Sequence, residues 1–360
     1  MKAAVWHGRR DVRIEDIPEP PSPGPGEVKL KVEWCGICGT DLHEYAAGPI
    51  FTQVNTPHPL SLRMAPLTPG HEFAGTVVEV GDGVTSVAVG DRVAPNPLLR
   101  CGECDYCRQG LPQLCTQIGF LGCHSDGGFG EYVNFNVVRG AHPVPILYKL
   151  PDNVSFDAGA MVEPLAVGLH AVNRGHMRPG ENVVIVGAGP IGDCTVQAAK
   201  ACGAGQIIVL EPSARRRQFA QELGATAVID PLAVDPAEAV RDLTRGKGAD
   251  LAIECVGGEK TLQLALGSLR KDGRTVVVGI FEHPASADYF DIVFFEKTII
   301  GSFAYLDEYD AVLEMLSDGR LQPEPMVTGR IGLDEIVQGG FEELLTQKDR
   351  NVKILVSPSC

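Results

Sequence analysis

The sequence predicts an α/β protein in two parts, a small β-barrel or β-sandwich and a doubly wound parallel sheet. Three observations predict it. Short strands punctuated by Gly and Pro open the chain. From 155–180 onward, apolar runs alternate with helix-like segments. One of those runs leads directly into Gly187-Ala188-Gly189-Pro190-Ile191-Gly192.

In chain order, Pro20-Pro21-Ser22-Pro23-Gly24-Pro25-Gly26 reads as a turn. Val28, Leu30, Val32 and Trp34 then alternate with charged residues, the pattern of a half-buried strand. Phe73–Gly81 reads as another strand, and Gly90-Asp91-Arg92-Val93 as a turn into a further one. In the second part Val183–Val186, Ile207–Leu210, Leu251–Ile253 and Thr275–Val278 are continuous apolar runs, as expected of strands covered on both faces. Ile191–Cys202 and Ser213–Leu223 read as the helices between them. After about residue 305 this rhythm stops, and Val352–Val356 is expected to return as a strand to the first part.

The glycine motif stands where a dinucleotide site needs it, after a strand and opening a helix. Gly187 permits the tight turn, Gly189 lets backbone approach a pyrophosphate, and Gly192 lets the helix pack closely. The N-terminus of that helix offers free N–H groups to phosphate. Glu211 closes the next strand, where a carboxylate can accept ribose hydroxyls and repel a 2′-phosphate. This favours NAD over NADP. Arg215, Arg216 and Arg217 pull the other way, because Arg pairs with phosphate; an exposed charged helix face is their plainer reading.

Eleven cysteines are present. Four of them fall at Cys101-x2-Cys104-x2-Cys107-x7-Cys115, and four thiolates so spaced can enclose a tetrahedral Zn²⁺ with no open position. A redox-active cluster is the alternative. The surrounding segment lacks an apolar core, so bound metal would supply its folding energy.

Three further segments carry metal-ligand chemistry: Cys35-Gly36-Ile37-Cys38-Gly39-Thr40-Asp41-Leu42-His43, Gly70-His71-Glu72, and Met161-Val162-Glu163-Pro164. A catalytic zinc takes three N, S or O ligands and keeps one position open, and Cys38, His71 and Glu163 can supply them. Spacing alone leaves Cys35 and Cys38 open to being a redox pair, and His71-Glu72 to being a surface pair.

Taken together, these motifs resemble the zinc-dependent medium-chain alcohol dehydrogenases over essentially the whole chain. Within that family, Trp34–Tyr45, Gly48-Pro49-Ile50-Phe51 and the insertion Gln53–Pro69 are most similar to the butanediol dehydrogenase branch. Asp291-Ile292-Val293, Glu296–Gly301 and Val352–Val356 also match that branch. The resemblance implies a GroES-like β-barrel catalytic domain at 1–160 and 305–360, with a structural zinc lobe at 98–118. It implies a Rossmann NAD-binding domain at 161–304, with the active site in the cleft between the two.

The implied roles follow residue by residue. Cys38, His71 and Glu163 become catalytic zinc ligands, with Glu72 beside the metal and Cys35 a packing residue. The liver-type enzymes have Cys where Glu163 stands, which leaves open which carboxylate binds directly. Thr40 would hydrogen-bond the substrate oxygen, and His43 would carry the proton onward. Gly187, Gly189, Pro190, Ile191, Gly192, Glu211, Arg216, Val278 and Ile280 form the expected cofactor set. Tyr45, Ile50 and Phe51 either line a small substrate pocket or belong to the core. The cofactors implied are NAD and two Zn²⁺ per chain, one catalytic and one structural.

The activity implied is interconversion of a 2,3-diol and its hydroxyketone, with a polyol such as sorbitol or L-threonine as alternative substrates. The four-Cys lobe, absent from some bacterial butanediol dehydrogenases, keeps those alternatives open. A dinucleotide-sensing or structural protein of this fold is the non-enzyme alternative. The resemblance also implies a homodimer or homotetramer, with Thr275–Gly279 and Thr298–Phe303 as candidate edge strands.

Composition excludes other classes. Thirty-one basic residues against 46 acidic give a net charge of −15, which disfavours nucleic acid and anionic membrane surfaces as partners. No apolar run approaches the roughly 20 residues of a membrane span. Met1–His7 lacks the apolar stretch of a signal peptide. A cytoplasmic protein is expected.

Overall fold

The computed structural model describes residues 1–137 and 145–359. The chain divides into two compact units: Met1–Glu163 with Tyr309–Ser317 and Val327–Cys360, and Pro164–Glu308 with Asp318–Met326. The expected single return at residue 305 is thus a double crossing, because Asp318–Met326 goes back to the second unit.

The first unit is built on the long strand Glu27–Gly36. Glu72–Val80, Tyr132–Asn136 and the C-terminal strand Lys353–Ser357 all pair with it antiparallel. Arg92–Pro95 and Leu147–Lys149 extend the sheet beyond Glu72–Val80, and Val327–Gly332 extends it beyond Lys353–Ser357. Val28, Leu30 and Val32 point into the core and are wholly buried. The alternation then breaks. A register shift between Val32 and Trp34 leaves Trp34 half-buried and turns Cys35 inward instead. The charged face is not simply solvated either: Lys29 is buried, its Nζ held by Glu79 (2.6 Å) and Glu19 (3.1 Å).

The second unit is a six-stranded sheet, parallel throughout. Its order is Ala227–Ile229, Gln206–Leu210, Asn182–Val186, Ala249–Glu254, Leu269–Val277, Thr298–Gly301. Asn182–Val186 sits between the second and fourth of these strands, so the strand order reverses beside it, where such sheets bind ligands. The helices are Pro190–Ala201 and Ala214–Leu223 as expected, the latter capped by the Ser213 hydroxyl accepting from the Arg216 N–H. Leu269–Val277 lies inside the sheet, so it is not an edge strand; Thr298–Gly301 is the edge on that side, and Ala227–Ile229 the other. Among the described residues no helix is long and apolar enough to cross a membrane.

Candidate metal centre and cofactor turn

The ends of three strands meet at one point. Pairing of Gly36 with Glu72 and of Leu355 with Gly36 brings the start of Glu72–Val80, the end of Glu27–Gly36 and the start of Lys353–Ser357 together. Just past Gly36, Cys38 is the N-cap of the helix Gly39–Ala47. Asp41 in the first turn accepts the Cys38 backbone N–H at 2.9 Å, which fixes the chain direction there. As a result Cys38, His71 and Glu72 each present one ligand atom, all within 4.8 Å of one another.

The cluster fits a cation. His71 Nδ1 and Glu72 Oε1 are buried without hydrogen-bond partners. The Asp41 carboxylate is 3.7 Å from His71 Nδ1, too far for a hydrogen bond. Burial works against a charged imidazole, yet Cys38 and then Asp41 outweigh it and hold His71 well above its usual pKa. A thiol, an imidazole and a carboxylate with idle lone pairs form the donor set of a zinc site with an open position. The other Glu72 oxygen is engaged by Lys353, whose Nζ also donates to the Ile37 carbonyl (2.9 Å).

The Thr40 hydroxyl is 3.7 Å from Cys38 Sγ. His43 lies on the same helix three residues on, exposed. Glu163 is buried in the first turn of the helix Val162–Arg174, but stands outside the cluster; Glu72 supplies the clustered carboxylate. Tyr45 belongs to the core: its ring packs on Phe341 (5.1 Å) and its hydroxyl donates to Glu342 (2.7 Å). Ile50 is exposed and Phe51 half-buried.

Cys101, Cys104, Cys107 and Cys115 bring their sulfurs within 4.8 Å of one another, and none forms a disulfide. Cys101 Sγ is 3.4 Å from that of Cys115 and 4.0 Å from that of Cys107. Sulfurs at the corners of a zinc tetrahedron with bonds of ~2.3 Å stand about 3.8 Å apart, so the lobe is sized for that ion. Backbone N–H groups of Cys101, Cys104 and Gln117 donate to the thiols, as suits thiolate charge.

At the dinucleotide motif Gly187 adopts φ 94°, open to Gly and strained for other residues. A Cβ on Gly192 would collide with the Gly187 carbonyl oxygen, so the third glycine is needed by the turn itself. Pro190 occupies the first helical position, where its missing N–H costs nothing. Glu211 ties the turn to the next strand: its two oxygens accept the backbone N–H of Ala188 and of Ser213, each at 2.9 Å. Of the three arginines, Arg217 is committed to Asp230 and to backbone carbonyls, and Arg215 to Gln218. Arg216 alone faces the turn, with Nη1 4.0 Å from where a Gly189 Cβ would stand. Val278 donates its backbone N–H to the Glu254 carbonyl, and Ile280 is exposed beside Gly257.

Three residues here escape a reading by motif. Lys353 left one trace, a lone cation inside the apolar run Val352–Val356. Glu44 is buried and gathers the N–H groups of Ile50, Phe51 and Thr52, which shapes the turn after the Cys38 helix. Asp193 is buried without a partner, and a carboxylate one residue past the last fingerprint glycine is its only trace in the sequence.

Comparison with known proteins agrees with this fold. The model of the alcohol dehydrogenase GroES-like domain matches residues 24–146, and that of the zinc-binding dehydrogenases matches residues 190–318. The chain is 44% identical to the (R,R)-butanediol dehydrogenase of Bacillus subtilis (strain 168) over 360 residues, covering both chains fully. It is 36% identical to the sorbitol dehydrogenase of the same organism, over all of this chain and 98% of that one. The crystal structure of the Bacillus subtilis 2R,3R-butanediol dehydrogenase superposes with a TM-score of 0.91 at 43% identity, over 99% of each chain. Both family models and a full-length relative at 44% identity place it alike: the chain is an enzyme of the zinc-binding alcohol dehydrogenase family.

Proposed function

We propose that this enzyme is an NAD-dependent dehydrogenase that interconverts (R,R)-2,3-butanediol and acetoin, and also reduces diacetyl. The observation that carries the chemistry is the Cys38, His71 and Glu72 cluster with its idle Nδ1 and Oε1 atoms. The full-length similarity to a butanediol dehydrogenase supports the substrate. Similarity to a sorbitol dehydrogenase makes polyol oxidation the second reading.

In this reading Cys38, His71 and Glu72 hold the catalytic zinc, Glu163 stands back from it, and the four-thiol lobe holds a second zinc. When bound, zinc supplies Lewis acidity and NAD the hydride acceptor. The Thr40 hydroxyl, beside Cys38, accepts a hydrogen bond from the substrate hydroxyl and hands its own proton on toward His43 as the substrate's proton arrives. His43, exposed on the same helix, passes that proton to solvent. Gly187–Gly192 cradles the pyrophosphate at a helix N-terminus. Glu211 accepts from the adenosine ribose and disfavours a 2′-phosphate, which makes NAD the cofactor rather than NADP.

The enzyme is proposed to work as a homodimer in the cytoplasm. Tyr289, Phe290, Val293 and Phe294 on one short helix are 65–75% exposed, close in sequence to the unpaired edge Thr298–Gly301. An open strand edge beside exposed aromatic side chains calls for a second copy.

The test is NAD reduction by purified protein with (R,R)-, meso- and (S,S)-2,3-butanediol, sorbitol and L-threonine, and with NADP in place of NAD. Preference for the (R,R)-diol with NAD supports the proposal. Preference for sorbitol or threonine overturns the substrate and leaves the family chemistry in place.

A further inference from the structure

The residue after Gly192 is anomalous. Asp193 lies in the first turn of the helix Pro190–Ala201, wholly buried, and neither carboxylate oxygen has a hydrogen-bond partner. Its backbone N–H is engaged by the Gly189 carbonyl at 2.9 Å. A carboxylate in that condition is strongly disfavoured as an anion and is relieved by taking up a proton.

The groups facing it come from three neighbouring elements. Arg216 projects from the helix Ala214–Leu223, Glu211 follows the strand Gln206–Leu210, and Cys255 follows the strand Ala249–Glu254. Arg216 favours ionisation of Asp193 and Glu211 opposes it. Burial outweighs both and pushes the Asp193 carboxyl up to about 8. Cys255 offers no compensating charge, since burial first, and the nearby carboxylates after it, push its thiol up to about 12.

We propose that a dinucleotide at the glycine turn favours the protonated form of Asp193, so that cofactor affinity falls as this carboxyl ionises. The proposal rests on the reading of Gly187–Gly192 as the pyrophosphate site. Ionised Asp193 would set a second carboxylate, beside Glu211, and the pyrophosphate dianion against the guanidinium of Arg216. The neutral acid removes one of those charges. By linkage, binding of the dianion raises the carboxyl's pKa, and ionisation weakens binding by the same factor. Asp193 is a positioning residue here: it sets the charge under the turn and is not assigned a contact with the cofactor.

The probe is ADP-ribose, which carries the pyrophosphate but no nicotinamide, titrated calorimetrically into the intact enzyme between about pH 6.5 and about pH 9.5. In the wild type the Kd rises about tenfold across this interval, equivalent to a one-unit shift of the carboxyl pKa. Asp193→Asn, isosteric with the neutral acid, stays within about twofold. Titrations near pH 8 in two buffers of different ionisation enthalpy show proton uptake on binding by the wild type alone. If the Asn variant does not fold, Asp193→Leu and the wild-type proton uptake decide the matter. The same rise in Kd in the variant, or no proton uptake by the wild type, overturns the proposal. Failure of the wild type to bind ADP-ribose at any pH overturns the cofactor-site reading, and this proposal with it.

Discussion

Lys353 Nζ lies 2.5 Å from Glu72 Oε2, and each side chain is only 1% exposed. The two residues are 281 positions apart in sequence. Their contact closes the C-terminal strand onto the point where the metal cluster forms. The pair leaves Glu72 one oxygen for a cation and fixes the carboxylate's orientation.

Removing the cation while keeping the carboxylate should therefore be costly. Lys353→Met is expected to lower stability by about 3–5 kcal/mol, the usual penalty for orphaning one partner of a buried pair. Adding Glu72→Gln removes the orphaned charge and should recover a large part of that loss. Urea unfolding of the two variants measures it. A single variant as stable as wild type would show that the pair is not an electrostatic unit.

The four-thiol lobe should depend on metal for its structure. Cys104→Ser is expected to lower bound zinc by one equivalent and to increase proteolytic cutting within 98–118. Metal analysis and limited proteolysis check this. Unchanged zinc content would contradict a metal site at these thiols.

Asp193 also predicts a pH effect on folding. Its ordinary carboxyl value is 3.8, and burial raises it to about 8 in the folded chain. Between those values the folded state holds a proton that the unfolded state has released, so this group's contribution to stability falls as pH rises and levels off above about 8. Asp193→Asn carries no such proton. Its Tm relative to wild type should increase from pH 5 toward about pH 8, as scanning calorimetry can measure. A constant difference in Tm would mean that the carboxyl ionises normally in the fold.

The exposed helix Tyr289–Phe294 should govern assembly. Val293, 75% exposed, replaced by Asp is expected to shift the enzyme to monomers in analytical ultracentrifugation. An unaltered sedimentation coefficient would place the interface elsewhere.

Most of the scaffold was legible in the sequence because its signals are local. The runs Val183–Val186 and Ile207–Leu210 are continuous and apolar because both faces of a parallel sheet are covered, and they form adjacent strands. The four thiols fall within one short segment, so spacing alone revealed them. What escaped depends on long-range pairing. The sequence left open whether Glu72 or Glu163 serves the metal; the register that sets Gly36 against Glu72 brings Glu72 beside Cys38 and His71, and no local pattern encodes register. Tyr45 looked equally suited to a pocket and to the core; its partners Phe341 and Glu342 lie almost three hundred residues away. The edge of the second sheet was misassigned in part, since Leu269–Val277 is covered by the later strand Thr298–Gly301.

In the proposed reading Cys38, His71 and Glu72 hold the zinc that activates the alcohol for oxidation by NAD. The direct measurement is zinc content together with NAD reduction by (R,R)-2,3-butanediol, for wild type and Cys38→Ser. Two zincs per wild-type chain, one in the variant, and no turnover by the variant are expected. Retention of both zincs, or of turnover, by Cys38→Ser would contradict it.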